Sequence, residues 1–162
     1  MKRYSLLFCI IFVVFTVCKT QDNIASETEK VKSVIDQFYQ LYKTQDVDLL
    51  SRIVVHDKDM VNFGTDSAEY WVGWESLKEA FQRQWKFFKK PEITYRNQVI
   101  KISQSGTVSW YSMFLDFKVM YKGKMVNWTG ARTTGVLEKR NGEWKIVQFH
   151  NSMPVLSPAA AY

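Results

Sequence analysis

The chain has 162 residues, the size of a single domain, and a formal net charge of +6. Three of its positive charges lie in the first 20 residues, before any acidic residue, so the charge left on the rest is too small to indicate nucleic-acid binding. Both cysteines, Cys9 and Cys18, also lie in that segment. The remaining domain is therefore without a disulfide, a thiol nucleophile or a thiolate metal ligand.

An amino-terminal targeting segment is predicted. Lys2 and Arg3 precede an uninterrupted apolar run from Leu6 to Val17, which is the pattern of a signal peptide. The run is shorter than the roughly 20 residues that a membrane-spanning helix needs. We therefore expect a signal peptide at residues 1–20, a domain at residues 21–156, a flexible tail at residues 157–162, and an extracytoplasmic protein.

Two processing sites fit this segment. Cys18 stands where a bacterial lipoprotein is acylated, although Val17 before it suits that processing poorly. The alternative is cleavage before Gln21. The first would attach the protein to a membrane through a lipid anchor, and the second would release it in secreted or periplasmic form.

Three helices are predicted in the first half of the chain. Residues 26–29 (Ser-Glu-Thr-Glu) have the pattern of a capping box, which predicts a helix over about 27–43. Asp46 is expected to cap a short second helix. A strand at 60–63 is followed by apolar residues at helical spacing up to residue 88, which predict a third helix ended by Pro91.

The rest of the chain has the pattern of antiparallel strands. They are expected near residues 92–103, 107–120, 125–138 and 143–151. The last turn, Asn141-Gly142, is a strong hairpin signal because both residues tolerate a positive φ.

Strict alternation in the last strand predicts one mixed and one apolar face. Trp144, Ile146, Gln148, His150 and Ser152 would share the first face, and Lys145, Val147 and Phe149 would share the second. The predicted fold class is α+β, with three N-terminal helices packed on a strongly bent antiparallel sheet. Such a sheet leaves a conical cavity under the long helix, and we expect the function there.

Residues 62–81, NFGTDSAEYWVGWESLKEAF, resemble the signature of SnoaL-like domains in the nuclear transport factor 2-like superfamily. The final hairpin, from Gly142 to Ser152, is similar to the end of the association domain of calcium/calmodulin-dependent protein kinase II. The resemblance covers residues 25–156 and implies the cone-shaped fold of that superfamily. It leaves the function open, because the superfamily includes isomerases, cyclases, dehydratases, binding proteins and scaffold modules.

Several chemistries are not expected. Beyond the targeting segment the metal-ligating side chains are His56, His150 and carboxylates, so no metal site is predicted, and no motif indicates a cofactor. Ser152 and His150 share a strand and cannot face each other as members of a catalytic triad. Ketosteroid isomerases, which resemble this fold, carry a catalytic carboxylate on the first strand, where this chain has Phe63.

Proton transfer is the chemistry that remains, and Asp116 is the first candidate base. It shares a strand face with Trp110 and Phe114, where burial would raise its pKa. The alternative is a solvated Asp116 or one paired with Arg132. His150 is the second catalytic candidate, with a structural role, tied to neighbouring backbone or to Glu69, as its alternative.

The predicted ligand-binding residues complete the site. They are Tyr42, Trp74, Arg132, Gln148 and Ser152. A group of polar residues on one strand face suits a pocket wall. Trp74 would stack on a flat ligand, although aromatic residues at helical spacing are more often core.

Three functions stay open at this level. The first is binding of a small, partly apolar molecule; the second is an isomerase, cyclase or dehydratase reaction that uses Asp116 or His150; the third is an oligomerisation scaffold. A homodimer is compatible with all three, and the scaffold function would bury Val147 and Phe149 between subunits. No nucleic-acid partner is expected, and a membrane contact only through a lipid at Cys18.

Overall fold

A computed structural model describes the backbone of residues 4–155 and the side chains of residues 23–155. Within these limits three helices and six strands follow one another along the chain. They are α1 (Tyr4–Thr44), α2 (Val47–Ile53), β1 (Val61–Phe63), β2 (Tyr70–Val72), α3 (Gly73–Phe87), β3 (Phe88–Ile102), β4 (Val108–Tyr121), β5 (Lys124–Arg140) and β6 (Glu143–Ser152). The order agrees with the predicted one except for β2, which the sequence pattern did not indicate.

The first helix begins well before the predicted capping box. Thr28 Oγ1 donates to the carbonyl oxygen of Ile24 at 2.8 Å, a contact made inside a helix. The capping-box prediction is therefore wrong, because no glycine or proline between Lys19 and Ser26 ends a helix there. The side chains of the predicted signal peptide and the whole of the predicted tail lie outside the described residues. Among residues 23–155, no helix is long and apolar enough to cross a membrane.

Asp46 caps α2 as predicted. Its backbone is extended, and its side chain accepts a hydrogen bond from the amide of Leu49 at 2.9 Å. This bond satisfies one of the free N–H groups in the first turn of the helix.

The strands form one sheet in the order β2-β1-β6-β5-β4-β3. All neighbours are antiparallel except β1 and β6, which pair in parallel at Phe63 and His150. Pro91 lies inside β3 rather than before it. Because β3 is an edge strand, the missing N–H of proline can face away from the ladder.

Several bulges bend the sheet around the helices. The pairing register shifts twice between β3 and β4, once between β4 and β5 and once between β5 and β6. A bulge bends a strand and increases its twist. As a result α1 contacts both β3 and β6, and the buried core, including Ile35, Phe38, Leu77 and Phe149, lies between the helices and the concave side of the sheet.

One bulge decides the orientation of the last strand. Val136 pairs with Gln148 but Leu137 pairs with Ile146, so Val147 is an extra residue in β6. Beyond it the alternation is inverted: Phe149 is 2% exposed and part of the core, whereas His150 is exposed. The prediction of one face running from Trp144 to Ser152 is wrong because a bulge adds a residue and reverses the pattern.

A buried carboxylate ties α1 to the final hairpin. Glu27 accepts hydrogen bonds from the indole Nε1 of Trp144 at 2.7 Å and from Lys139 Nζ at 2.5 Å. Lys30 lies 2.8 Å from its other oxygen. These contacts, that of Lys139 first, lower the pKa of Glu27 to about 2.

Candidate ligand-binding chamber

A chamber of about 90 Å³ lies between α1, α3 and the concave face of the sheet. It opens into a mouth of about 380 Å³ that shares Thr65, Glu69, Gln84, Phe88 and Trp128 with the chamber wall. The mouth alone falls in the range of about 300–1,000 Å³ that is usual for small-molecule sites.

Aromatic rings form most of the chamber wall. They belong to Tyr42, Trp71, Phe81, Phe88, Phe117, Trp128 and Phe149. Phe117 and Trp128 stack with centroids 5.3 Å apart and planes 19° apart, and Tyr42 meets Phe117 edge-on at 5.1 Å. Because the rings pack on one another, the wall is formed before any ligand enters.

Glu69 is the charged side chain among the described residues that line the chamber. Its Oε2 accepts from the amide nitrogens of Thr65 at 2.7 Å and Asp66 at 3.1 Å, and its Oε1 accepts from Gln84 Nε2 at 3.0 Å. A side chain at Gly64 would put Cβ only 2.1 Å from Oε2. Glycine at 64 therefore makes room for the carboxylate.

Two further polar groups reach the chamber wall. Burial, and secondarily the charge of Glu69, raises the pKa of Tyr42, so its phenol remains a hydrogen-bond donor. Asn151 accepts from Thr133 Oγ1 through Oδ1 at 2.7 Å, which leaves its Nδ2 as a donor for the chamber. The chamber thus combines apolar walls with a carboxylate and two neutral donors.

Tyr42 is the predicted site residue that the structure places in the chamber. The other predicted residues on strands lie together on the opposite, outer face of the sheet. Asp116, Arg132, Gln148, His150 and Ser152 belong to this set. The sequence grouped Asp116 with Trp110 and Phe114, and Gln148 with His150 and Ser152, as the structure does, but it expected both groups to face the cavity.

Asp116 has a structural partner on each carboxylate oxygen. Arg96 Nη1 donates to Oδ2 at 2.6 Å, and the amide of Gly130 donates to Oδ1 at 2.6 Å. The hydrogen bond from Gly130, followed by that from Arg96, lowers the pKa of Asp116. The expected raised pKa is wrong, and the partner is Arg96 rather than Arg132, because the bulge at Gly130 offers its N–H to this strand position.

His150 faces outward and contacts Phe63 edge-on at 5.5 Å. Gln148 is paired with Val136 and Ser152 with Arg132 across the same ladder. None of these four polar residues lines the chamber within the described part of the chain. The extra residue at Val147 is the reason, since without it His150 would point inward.

Trp74 also lies away from the chamber. Its ring stacks on His56 at 4.2 Å, and Lys78 Nζ lies 5.9 Å from the ring centroid. The side chain is 8% exposed and belongs to the core. Trp74 is therefore a packing residue, as helical spacing usually indicates.

Sequence reasoning missed Glu69 and Gln84. Glu69 lies in the turn that follows β1, and this turn continues into β2, which pairs back on β1. The amide of Gly64 donates to the carbonyl of Glu69 at 2.8 Å, and this closure brings the carboxylate to the chamber. The signal that could have identified Glu69 was a carboxylate within residues 62–81, the stretch that resembles the SnoaL-like signature.

Among residues 23–155, no group of three or more histidine, cysteine, aspartate or glutamate residues could hold a metal ion.

The fold and its chamber define an α+β domain of the nuclear transport factor 2-like class. The sequence profile of the SnoaL-like domain matches residues 31–156, so the chain belongs to the SnoaL-like domain family. A search of curated proteins found no match.

Solved structures share the fold at low identity. A nuclear transport factor 2-like superfamily protein from Salmonella enterica serovar Typhimurium LT2 is 18% identical, with 85% of this chain and 99% of that one covered and a TM-score of 0.74. A protein provisionally described as a calcium/calmodulin dependent protein kinase II association domain, from Xanthomonas campestris, is 22% identical, with 78% and 87% covered and a TM-score of 0.66. One provisionally described as a scytalone dehydratase, from Novosphingobium aromaticivorans, is 15% identical, with 83% and 89% covered and a TM-score of 0.68. These likenesses show the predicted cone-shaped fold.

Proposed function

We propose that the protein binds a small, partly apolar molecule in the chamber. The observation that carries the proposal is the wall itself, in which seven aromatic side chains surround Glu69, Gln84 and Asn151. Ligand sites typically have this composition, with apolar surfaces for affinity and a few polar groups for orientation. A flat ring would enter between Trp128 and Phe81, with its polar end at Glu69.

Filling the chamber is expected to abolish binding without unfolding the protein. Ala80 lies in α3 on the chamber wall and is 5% exposed. In Ala80→Leu the longer side chain grows into the chamber, so we expect the affinity for the neutral probe 2-phenylethanol, followed by tryptophan fluorescence, to fall more than about tenfold. Thr134→Leu, on the outer face, is the matched control. Unchanged binding by Ala80→Leu would contradict the proposed site.

A second candidate function is proton transfer on the bound molecule, with Glu69 as the base. The observation that favours it is the pairing of one carboxylate with the protonated Tyr42 phenol at a single chamber. Glu69 takes the part that the sequence had assigned to Asp116 or His150. Exchange of the α-protons of 2-indanone in D₂O, followed by NMR, tests it: no acceleration by the protein, or acceleration unchanged in Glu69→Gln, contradicts this candidate.

We propose that the outer face of the sheet is covered by a second copy of the chain. Val99, Trp110 and Phe114 are 48%, 48% and 39% exposed on the neighbouring strands β3 and β4 of this face. Large exposed apolar groups that lie together usually mark an interface. Phe149 has no part in it, because its side chain is in the core.

Trp110→Glu is therefore expected to convert a dimer into a monomer. A charge at the centre of an interface opposes its burial in both copies, so the apparent mass by light scattering should halve. Ile24→Glu is the control, since Ile24 is 52% exposed on α1, away from this face. An unchanged mass for Trp110→Glu would exclude this interface.

We propose further that the domain works outside the cytoplasm. The support is the apolar run from Leu6 to Val17 behind two basic residues. The mass of the mature protein distinguishes a chain that begins at a lipid-modified Cys18 from one whose amino terminus is an unmodified Gln21. An intact residue 1 in the purified protein would contradict export by this signal.

A further inference from the structure

We propose that the chamber selects a ligand whose polar end is a positively charged amine. This inference rests on the proposed function and names the ligand class for the same site. It is carried by the charge of the lining, by the free acceptor capacity of Glu69 and by the faces of the aromatic rings.

The charge of the lining is negative although the chain as a whole is basic. The formal charge of the whole chain is +6. Among the described residues that line the chamber, however, Glu69 is the charged one, and it is an acid. At the mouth Asp66 adds a second acid, and Arg83 is paired with Glu79 at 3.3 Å. Lys122 lies over the rings of Phe87 and Tyr121 at the rim, so the uncompensated negative charge is that of Glu69 inside the chamber. An anion entering here would meet like charge in a partly desolvated space.

Glu69 keeps room for a ligand donor. A carboxylate has about four lone-pair sites, two on each oxygen. The loop amides of Thr65 and Asp66 occupy Oε2, whereas Oε1 accepts from Gln84 among the described residues. An ammonium can therefore donate to Oε1 without displacing the bonds that hold the carboxylate.

The aromatic wall suits a cation as well as an apolar ring. An ammonium over the face of a tryptophan or phenylalanine is attracted by the ring quadrupole. The chain already shows this contact at the mouth, where Lys122 Nζ lies 5.6 Å from the centroid of Phe87 and 5.2 Å from that of Tyr121. Trp128, which lines both chamber and mouth, offers the same surface to a ligand.

Three probes of one shape and different charge test the inference. They are 2-phenylethylamine, 2-phenylethanol and phenylacetate, titrated at pH 7 into the purified chain and followed by tryptophan fluorescence. We expect the amine to bind about tenfold more tightly than the alcohol, and phenylacetate to bind most weakly. Glu69→Gln should bring amine and alcohol to within about twofold of each other, while His150→Gln on the outer face leaves the ratio unchanged.

A second variant keeps the inference testable if the first one does not fold. If Glu69→Gln loses its melting transition, Trp128→Leu takes its place and is expected to lower the amine-to-alcohol preference at least about threefold. Equal affinity for amine and alcohol, or tightest binding of phenylacetate, would overturn the amine inference. In that case 2-phenylethanol binding that Ala80→Leu abolishes would still support the proposed function, so the two failures are distinguishable.

Discussion

Replacing Phe149 with alanine lowers the free energy of unfolding by about 3–5 kcal/mol, the cost of deleting a large buried aromatic side chain. Phe149 is 2% exposed, and its ring centroid lies 5.1 Å from that of Phe38 and 6.2 Å from that of Trp71. The cavity would open between α1 and the sheet, where the neighbouring side chains cannot collapse into it. Urea unfolding followed by circular dichroism measures the loss.

His150→Ala is the matched control for this experiment. The histidine is the next residue along β6, but it is exposed on the outer face. In the Trp110→Glu background, in which the proposed interface is removed, its replacement should change the unfolding free energy by less than about 0.5 kcal/mol. The pair of variants tests the bulge at Val147 directly. A larger loss for His150→Ala than for Phe149→Ala would mean that the register of β6 is unbulged.

Replacing Glu27 with glutamine lowers the unfolding free energy at pH 7 by about 2 kcal/mol. The shift of the Glu27 pKa from 4.5 to about 2 implies a somewhat larger loss of unfolding free energy. It is discounted because the side chain of Lys30 is 60% exposed, which lets solvent screen that pair. Trp144 and Lys139 would keep weaker bonds to the amide. Thermal and urea unfolding of wild type and variant give the difference.

The pH dependence follows from the sign of the shift. The folded-state pKa of Glu27 lies below its ordinary value, so the stabilisation is fully present above about pH 4.5 and is lost as the pH falls from about 4.5 to about 2. The stability difference between wild type and Glu27→Gln should shrink over that window. Glu29→Gln, at an exposed position two residues further on the same helix, is the control. A difference that stays constant from pH 7 to pH 3 would contradict the assignment to Glu27.

Much of the fold could be predicted because its signals are local. The cap at Asp46, the four long strands and the Asn141-Gly142 turn each depend on neighbouring residues, and the structure has all of them. The beginning of α1 was mispredicted for the complementary reason. A capping box permits a helix to begin, but a chain without glycine or proline before it can remain helical.

The site was less predictable because its face depends on pairing. Alternation grouped Gln148, His150 and Ser152 on one face of β6, and Asp116 with other residues of β4. It contains no information about which side of the sheet the helices cover. One extra residue in β6 and another at Gly130 decided the matter. Tyr42 was found from the sequence because a helix face is set by local spacing, whereas Glu69 depends on the return of β2 along β1.

The amino-acid sequence by itself determined the order of the elements other than β2 and the membership of residues 31–156 in the SnoaL-like domain family, because both reside in short-range patterns. Tertiary structure alone decided which polar side chains meet the aromatic wall. That outcome depends on bulges and on contacts between residues far apart in the chain, such as Glu69 with Gln84 and Asn151 with Thr133. A bulge adds one residue to a strand and so reverses the face of every side chain beyond it.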